Sequence, residues 1–207
     1  MITIVDYKAG NLTSVRLAFE HLGIPARVTA DPVAIRAAER LYFPGVGAAG
    51  SAMQTLRSGG LAEVLRETAD RGVPFLGVCL GMQVLFDRSD EDGGTLCLGL
   101  FPGAVRRFRF TDPRVKIPHM GWNAMRPLRP HPLFAGIEPG SEFYFVHSFY
   151  TEPAVPADRL GETEYGGFPF TSAVARRNVA ATQFHPEKSG RIGLQLLANF
   201  AKWDGTC

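Results

Sequence analysis

The chain has 207 residues, enough to bury a sizeable core within one large domain. Charged residues make up 20% and the net charge is +2, a balance that gives no reason to expect nucleic acid or an anionic membrane as the main partner. The three cysteines, Cys79, Cys97 and Cys207, are odd in number and none stands in a C-x-x-C pair, which argues against both a disulfide framework and a zinc site.

"ITIVD" (2–6) reads as a strand buried on both faces. The N-terminus shows no basic segment ahead of it, and no apolar run approaches 18 residues, so a cytoplasmic chain without signal peptide or membrane span is expected. A helix follows from Asn11 as N-cap, with Leu12, Val15, Phe19 and Leu22 on one face and Gly23 and Pro25 as its stop. "ARVTA" is a short second strand. "DPVAIRAAER" opens a helix with Asp31 as N-cap and Pro32 at its first position. "LYFP" is a third strand, leading into "GVGAAG" and a further helical stretch. A helix is expected over Leu61–Arg71, a fourth strand over "VPFLGV" (73–78), and a helix over 80–88. Such alternation means βαβ units and a parallel sheet with helices on both faces.

After the acidic loop "DRSDEDGG" the pattern changes to successive strands: "AVRRFRF", "GWNAM", "EFYFVHSFY", "TSAVAR" and "NVAATQF", the last two joined by a tight turn at Arg177. In "RRFRF" the arginines read as the solvated side of a strand rather than as a binding patch. A last helix from Ser189 carries Ile192, Leu196, Phe200 and Trp203 on one face. The expected fold is therefore α/β, a mostly parallel sheet with a β-rich second half, in one domain over residues 1–207.

The chemistry centres on "GVCLG". Cys79 lies at a strand-to-helix joint between Gly77 and Gly81, the arrangement of a nucleophile elbow with cysteine in place of serine. The tight turn demands small residues two before and two after the nucleophile. A helix N-terminus directly behind a thiol favours its thiolate form. The competing reading is a buried inert cysteine with incidental glycines. A nucleophile also needs a base and a group to orient it. Of five histidines, His185 in "TQFHPEKS" stands at the end of the last strand, where open α/β sheets place their sites. In extended chain Glu187 would project to the same side and reach it. His21 and His131 read as surface residues, while His119 and His147 stay in contention.

Gly45, Gly47 and Gly50 match G-x-G-x-x-G, but they follow the third strand, and no acidic residue closes a strand about 20 residues on, as a dinucleotide site requires. A Gly-rich turn also offers N–H groups to an oxyanion, with Leu80 N–H as the second donor. Because Gly45 and Gly47 flank Val46, the peptide between them can rotate at little steric cost, so an oxyanion site left incomplete at rest is expected.

Together "GVCLGMQ", "FPGVGA" and "FHPEKS" resemble the class I (triad) glutamine amidotransferases over the whole chain and in the right order. "IVDYKAGNLTSV", "PHMGWN" and "YFVHSFY" resemble most closely the glutaminase subunits of the imidazole glycerol phosphate synthases. Lys8 stands where that family more often has Gly, and Ala49 where an aromatic is common; both are expected in loops. The resemblance implies a flavodoxin-like fold and a Cys79–His185–Glu187 triad. It implies an oxyanion hole from Gly45, Val46, Gly47 and Leu80, and glutamine contacts from Gln83, His147 and Ser148. No metal or organic cofactor follows from it. Ammonia would pass to a (β/α)₈-barrel cyclase partner facing Asn11, Trp122 and Lys188, in a heterodimer; His119 belongs to the same family-specific segments. For Trp122, a core position is the alternative. Three other classes remain in view: a cysteine hydrolase of related fold, a non-catalytic nucleotide-binding module, and a triad amidotransferase of the anthranilate or aminodeoxychorismate type.

Overall fold

The computed structural model describes residues 1–8 and 12–206. Asn11, both the expected N-cap and an expected partner contact, lies outside the described residues, as does Cys207. The first half alternates as expected: β1 (Ile2–Val5), α1 (Leu12–His21), β2 (Ala26–Thr29), α2 (Pro32–Arg36), β3 (Arg40–Phe43), α3 (Ala49–Ser58), α4 (Leu61–Asp70), β4 (Phe75–Val78) and α5 (Leu80–Gln83). The second half is strand-rich: β5 (Phe86–Ser89), β6 (Thr95–Leu96), β7 (Phe101–Arg107), β8 (His119–Ala124), β9 (Arg126–Pro127), β10 (Glu142–His147), β11 (Phe149–Pro153), β12 (Arg159–Tyr165), β13 (Phe168–Arg176) and β14 (Val179–Thr182), then α6 (Gly190–Lys202).

The order β2-β1-β3-β4-β14 is parallel throughout, which is the flavodoxin-like arrangement. The sheet continues through β13, β11, β7, β5 and β6, mostly antiparallel, while β8 and β10 form a separate two-stranded ribbon. Alternate residues of one strand feed two cores. Leu41 and Phe43 pack with Met53, Leu56 and Leu65 on one face. Tyr42 packs with Phe19 and Phe200 on the other, at centroid distances of 5.6 and 6.4 Å. Both faces are covered, so β1 and β4 are apolar at nearly every position. Among the described residues no helix is long and apolar enough to cross a membrane.

Four expectations need correction. The helix expected over 80–88 is a single turn, Leu80–Gln83, followed by β5. Val84, Leu85 and Phe86 are all fully buried, a pattern without the one-sided period that separates helix from strand. Phe86 stacks on Phe101 of the parallel neighbour β7. "EFYFVHSFY" is not one strand but β10 and β11, broken at Ser148 as the chain passes from ribbon to main sheet. β7 ends at Arg107 rather than 110, although Arg107 and Arg109 remain exposed about a buried Phe108. His131 is not a surface residue: it is buried against Trp203, its Nδ1 accepts from Leu133 N–H at 3.2 Å, and burial pushes its pKa down to about 4.

Candidate active site

β4 and β14 run side by side, with Val78 opposite Thr182, so the residues after each strand emerge together at the carboxyl edge of the sheet. Cys79 follows β4 directly with φ 55 and ψ −113, a backbone that an L-residue adopts only when its surroundings enforce it. The enforcement is visible. Cys79 N–H donates to Thr182 O at 2.7 Å, and Cys79 O accepts from the N–H groups of Met82 and Gln83. A Cβ on Gly81 would collide with the Phe43 carbonyl oxygen, and one on Gly77 would come within 2.9 Å of Leu85 and 3.0 Å of Gly81 O. The sharp turn therefore requires both glycines that flank the cysteine.

His185 stands three residues past β14, its N–H on Tyr144 O at 2.9 Å. Its Nδ1 meets Glu187 Oε1 at 2.8 Å, and Tyr42 OH donates to Glu187 Oε2 at 3.2 Å. The approach is not through the extended chain expected from sequence: Pro186–Lys188 form a 3-10 turn that brings the carboxylate back to Nδ1 at the ring edge. His185 Nε2 is buried and has no hydrogen-bond partner among the described residues. Burial alone would lower the His185 pKa, but Cys79 first, and then Glu187 through its hydrogen bond and its charge, outweigh it and push it up to about 10. Gln183, which the sequence reading missed, is wholly buried and points its Nε2 at Cys79 Sγ from 3.7 Å.

The strand end Phe43–Pro44–Gly45 lies across the start of α5. A Cβ on Gly45 would sit 2.5 Å from Gly81 N, 2.7 Å from Tyr7 OH and 2.8 Å from Leu80 Cβ. Val46 and Gly47, the latter at φ +93, line the cavity with Leu80. As the first residue of α5, Leu80 has no carbonyl one turn back to receive its N–H.

These walls enclose a cavity of about 310 Å³ that also touches Cys79, His185, Gln83, His147, Ser148 and Glu91. Glu91 belongs to the acidic stretch "DRSDEDGG", which the sequence marks only as a loop. Its Oε2 accepts Ala49 N–H at 2.7 Å, and burial raises its pKa. Gln83 lines the cavity but commits its amide N–H groups to Phe149 O at 3.1 Å and Gln183 Oε1 at 2.9 Å. His147 Nδ1 lies 2.7 Å from Phe149 O, which can only accept, so the proton is on Nδ1 and Nε2 is the acceptor. His119 Nδ1 donates to that Nε2 at 2.9 Å, and Asn123 Nδ2 lies 3.2 Å from His119 Nε2. Burial drives both rings down, to about 4 for His119 and about 3 for His147. Both rings are held neutral, His147 in the cavity wall and His119 hydrogen-bonded to it, and His185 is the histidine set against the sulfur.

Outside the cavity, Trp122 is 54% exposed, so it belongs to the surface and not the core. It sits opposite Tyr144 across the ribbon with ring centroids 6.2 Å apart, and Lys188 Nζ lies 5.9 Å from the Tyr144 ring. Met120, two residues along the same face of β8, is 62% exposed.

Residues 3–203 match the family Glutamine amidotransferase class-I. The chain is 50% identical to the imidazole glycerol phosphate synthase subunit HisH of Desulfovibrio desulfuricans, over 98% of this chain and 94% of that one. It is likewise 50% identical to the HisH subunit of Thiobacillus denitrificans, over 98% and 91%. A solved structure, described as the crystal structure of glutamine amidotransferase, superposes with a TM-score of 0.76 at 18% identity and full coverage of both chains, a likeness of fold. Each of those relatives is named as one subunit of a synthase. With the match to class I running almost end to end, and half of all residues shared with these relatives, the chain belongs to the class-I glutamine amidotransferases and, within them, to the HisH subunits of imidazole glycerol phosphate synthase.

Proposed function

We propose that the chain is the glutaminase subunit of a cytoplasmic imidazole glycerol phosphate synthase of histidine biosynthesis, acting as one amidotransferase domain over its length. The observation that carries this reading is the buried Glu187–His185 pair set beside a sulfur at a strained elbow, in a cavity sized for an amino acid. The Cys79 thiolate attacks the side-chain amide carbon of glutamine. The electron pair displaced onto oxygen is held by Leu80 N–H and by an N–H of the Gly45–Val46–Gly47 segment. His185 gives its Nε2 proton to the departing ammonia, leaving a γ-glutamyl thioester on Cys79, and then takes a proton from the water that releases glutamate. Glu187 keeps the imidazole oriented. Glu91 is the carboxylate suited to the α-ammonium of the substrate, beside Gln83, His147 and Ser148.

Ammonia then passes to a (β/α)₈-barrel cyclase docked on the face of Trp122 and Lys188, with Asn11 as a further contact expected from the sequence. There it reacts with a phosphoribulosyl-formimino carboxamide nucleotide to give imidazole glycerol phosphate and an aminoimidazole carboxamide ribotide. The oxyanion peptide at Val46 turns its N–H into the cavity only when that partner is loaded. The test is a Cys79→Ala complex with its cyclase. It should form imidazole product from added ammonium salt and none from glutamine. In the unaltered chain a glutamine-analogue electrophile should label Cys79 and spare Cys97, whose thiol burial pushes up to about 11. Product from neither nitrogen source, in an assembled complex, would contradict the division of labour.

A further inference from the structure

Tyr7 leaves β1 pointing inward. It is 4% exposed, packs on Phe43 with centroids 5.3 Å apart, and its hydroxyl is buried without a hydrogen-bond partner among the described residues. A buried polar atom left unpaired carries its desolvation penalty with nothing to offset it. The position of this one is specific: it lies against Gly45, close enough that a Cβ there would be 2.7 Å from the oxygen. Tyr7 is not among the residues that line the cavity, so it stands behind the oxyanion wall and does not reach substrate. Burial, and then the charge of Cys79, raise its pKa well above the ordinary tyrosine value, so the hydroxyl keeps its proton and remains a donor.

The peptide that joins Gly45 to Val46 is trans, with its carbonyl and N–H on opposite sides. When Val46 N–H turns into the cavity, Gly45 C=O must turn away from it, into the wall. The geometry points to Tyr7 as the positioning residue of that wall: its hydroxyl receives the Gly45 carbonyl in the rotated state and holds the oxyanion donor in place. An orphaned donor at rest becomes a bonded one in the competent form, which favours rotation. In sequence Tyr7 belongs to "DYKAGN", the stretch whose Asn11 is expected to face the partner, so docking and the wall are separated by only a few residues of chain. This inference rests on the reading of the site as a glutaminase with a rotating oxyanion peptide.

The experiment is Tyr7→Phe in the full chain assembled with its cyclase. Glutaminase kcat and KM are measured with and without the cyclase's nucleotide substrate, beside the melting temperature of the chain alone. Loss of one neutral hydrogen bond in the competent state predicts a fall of about tenfold in the nucleotide-stimulated kcat, with KM within about twofold. The melting temperature should hold or rise, because an unpaired buried hydroxyl has been removed. A merely structural hydroxyl would instead lower the melting temperature and leave stimulation intact. Full stimulation in Tyr7→Phe, or a change confined to KM, overturns the latch. Absence of stimulation in the unaltered complex is a different result: it overturns the rotating peptide itself.

Discussion

His185 carries a charge that its burial opposes, and the consequence is measurable. Its pKa in the folded chain is raised from 6.5 to about 10 by Cys79 and Glu187 against the opposing effect of burial. A raised basic group stabilises the fold fully below its ordinary pKa, and that contribution is lost as pH climbs through the folded value. The urea midpoint should therefore decline between pH 6.5 and about 10 through this residue, and Cys79→Ala should flatten the decline by removing the foremost upward influence. An identical slope in Cys79→Ala would show that the two side chains do not share charge. In turnover, His185→Ala should cost about 10²–10⁴-fold in kcat, and Glu187→Gln less, since it orients the ring without touching substrate. If His147→Ala with glutamine binding intact proved as damaging as His185→Ala, the assignment of the base would be wrong.

At the scale of elements, the site depends on how closely β3 crosses α5. Gly81 is the contact point: any side chain there meets the Phe43 carbonyl, two residues before Gly45. Gly81→Ala should cost about 1–3 kcal/mol of stability by overpacking. It should also cost kcat, because the push moves the strand end that carries the proposed oxyanion peptide. Urea denaturation and glutaminase kinetics read the two effects, and a Gly81→Ala chain as stable and active as the original would show that this contact does not hold the oxyanion segment. The ribbon of β8 and β10 matters in the same way. Its inner side carries His147 into the cavity wall with His119 hydrogen-bonded to it, and its outer side carries Met120 and Trp122 into solvent.

For the whole molecule, that two-sidedness sets the candidate docking face within one strand's thickness of the candidate active site. Two large apolar side chains exposed beside each other, with Lys188 next to them, form the kind of patch that marks an interface. Trp122→Ala should weaken binding of the cyclase by about tenfold or more, as the loss of a central aromatic anchor does. Titration calorimetry of the two chains measures it directly, and unchanged affinity would place docking elsewhere. The full-length identity with synthase subunits also bears on the readings that the elbow alone left open: a dinucleotide module or an unrelated hydrolase would not share half its residues with them.

By itself the sequence determined the alternation of the first half, the elbow at Cys79 and the pairing of His185 with Glu187. Each of these is written in contiguous residues: an apolar strand, a glycine-flanked cysteine, a histidine with its carboxylate two places on. Even there the reason differed, since a 3-10 turn and not an extended chain joins the last pair. Only the tertiary structure decided what meets across long separations. Tyr42 reaches Glu187 across 145 positions and Gln183 reaches Cys79 across 104. Glu91 turns from a loop into the cavity, and His131 goes inside rather than out. The same holds for residues 84–86, which read as helix but lead into a paired strand. A segment buried on every side has no periodicity to declare its form, and a polar side chain's partner is chosen by the fold that surrounds it, not by its neighbours in the chain.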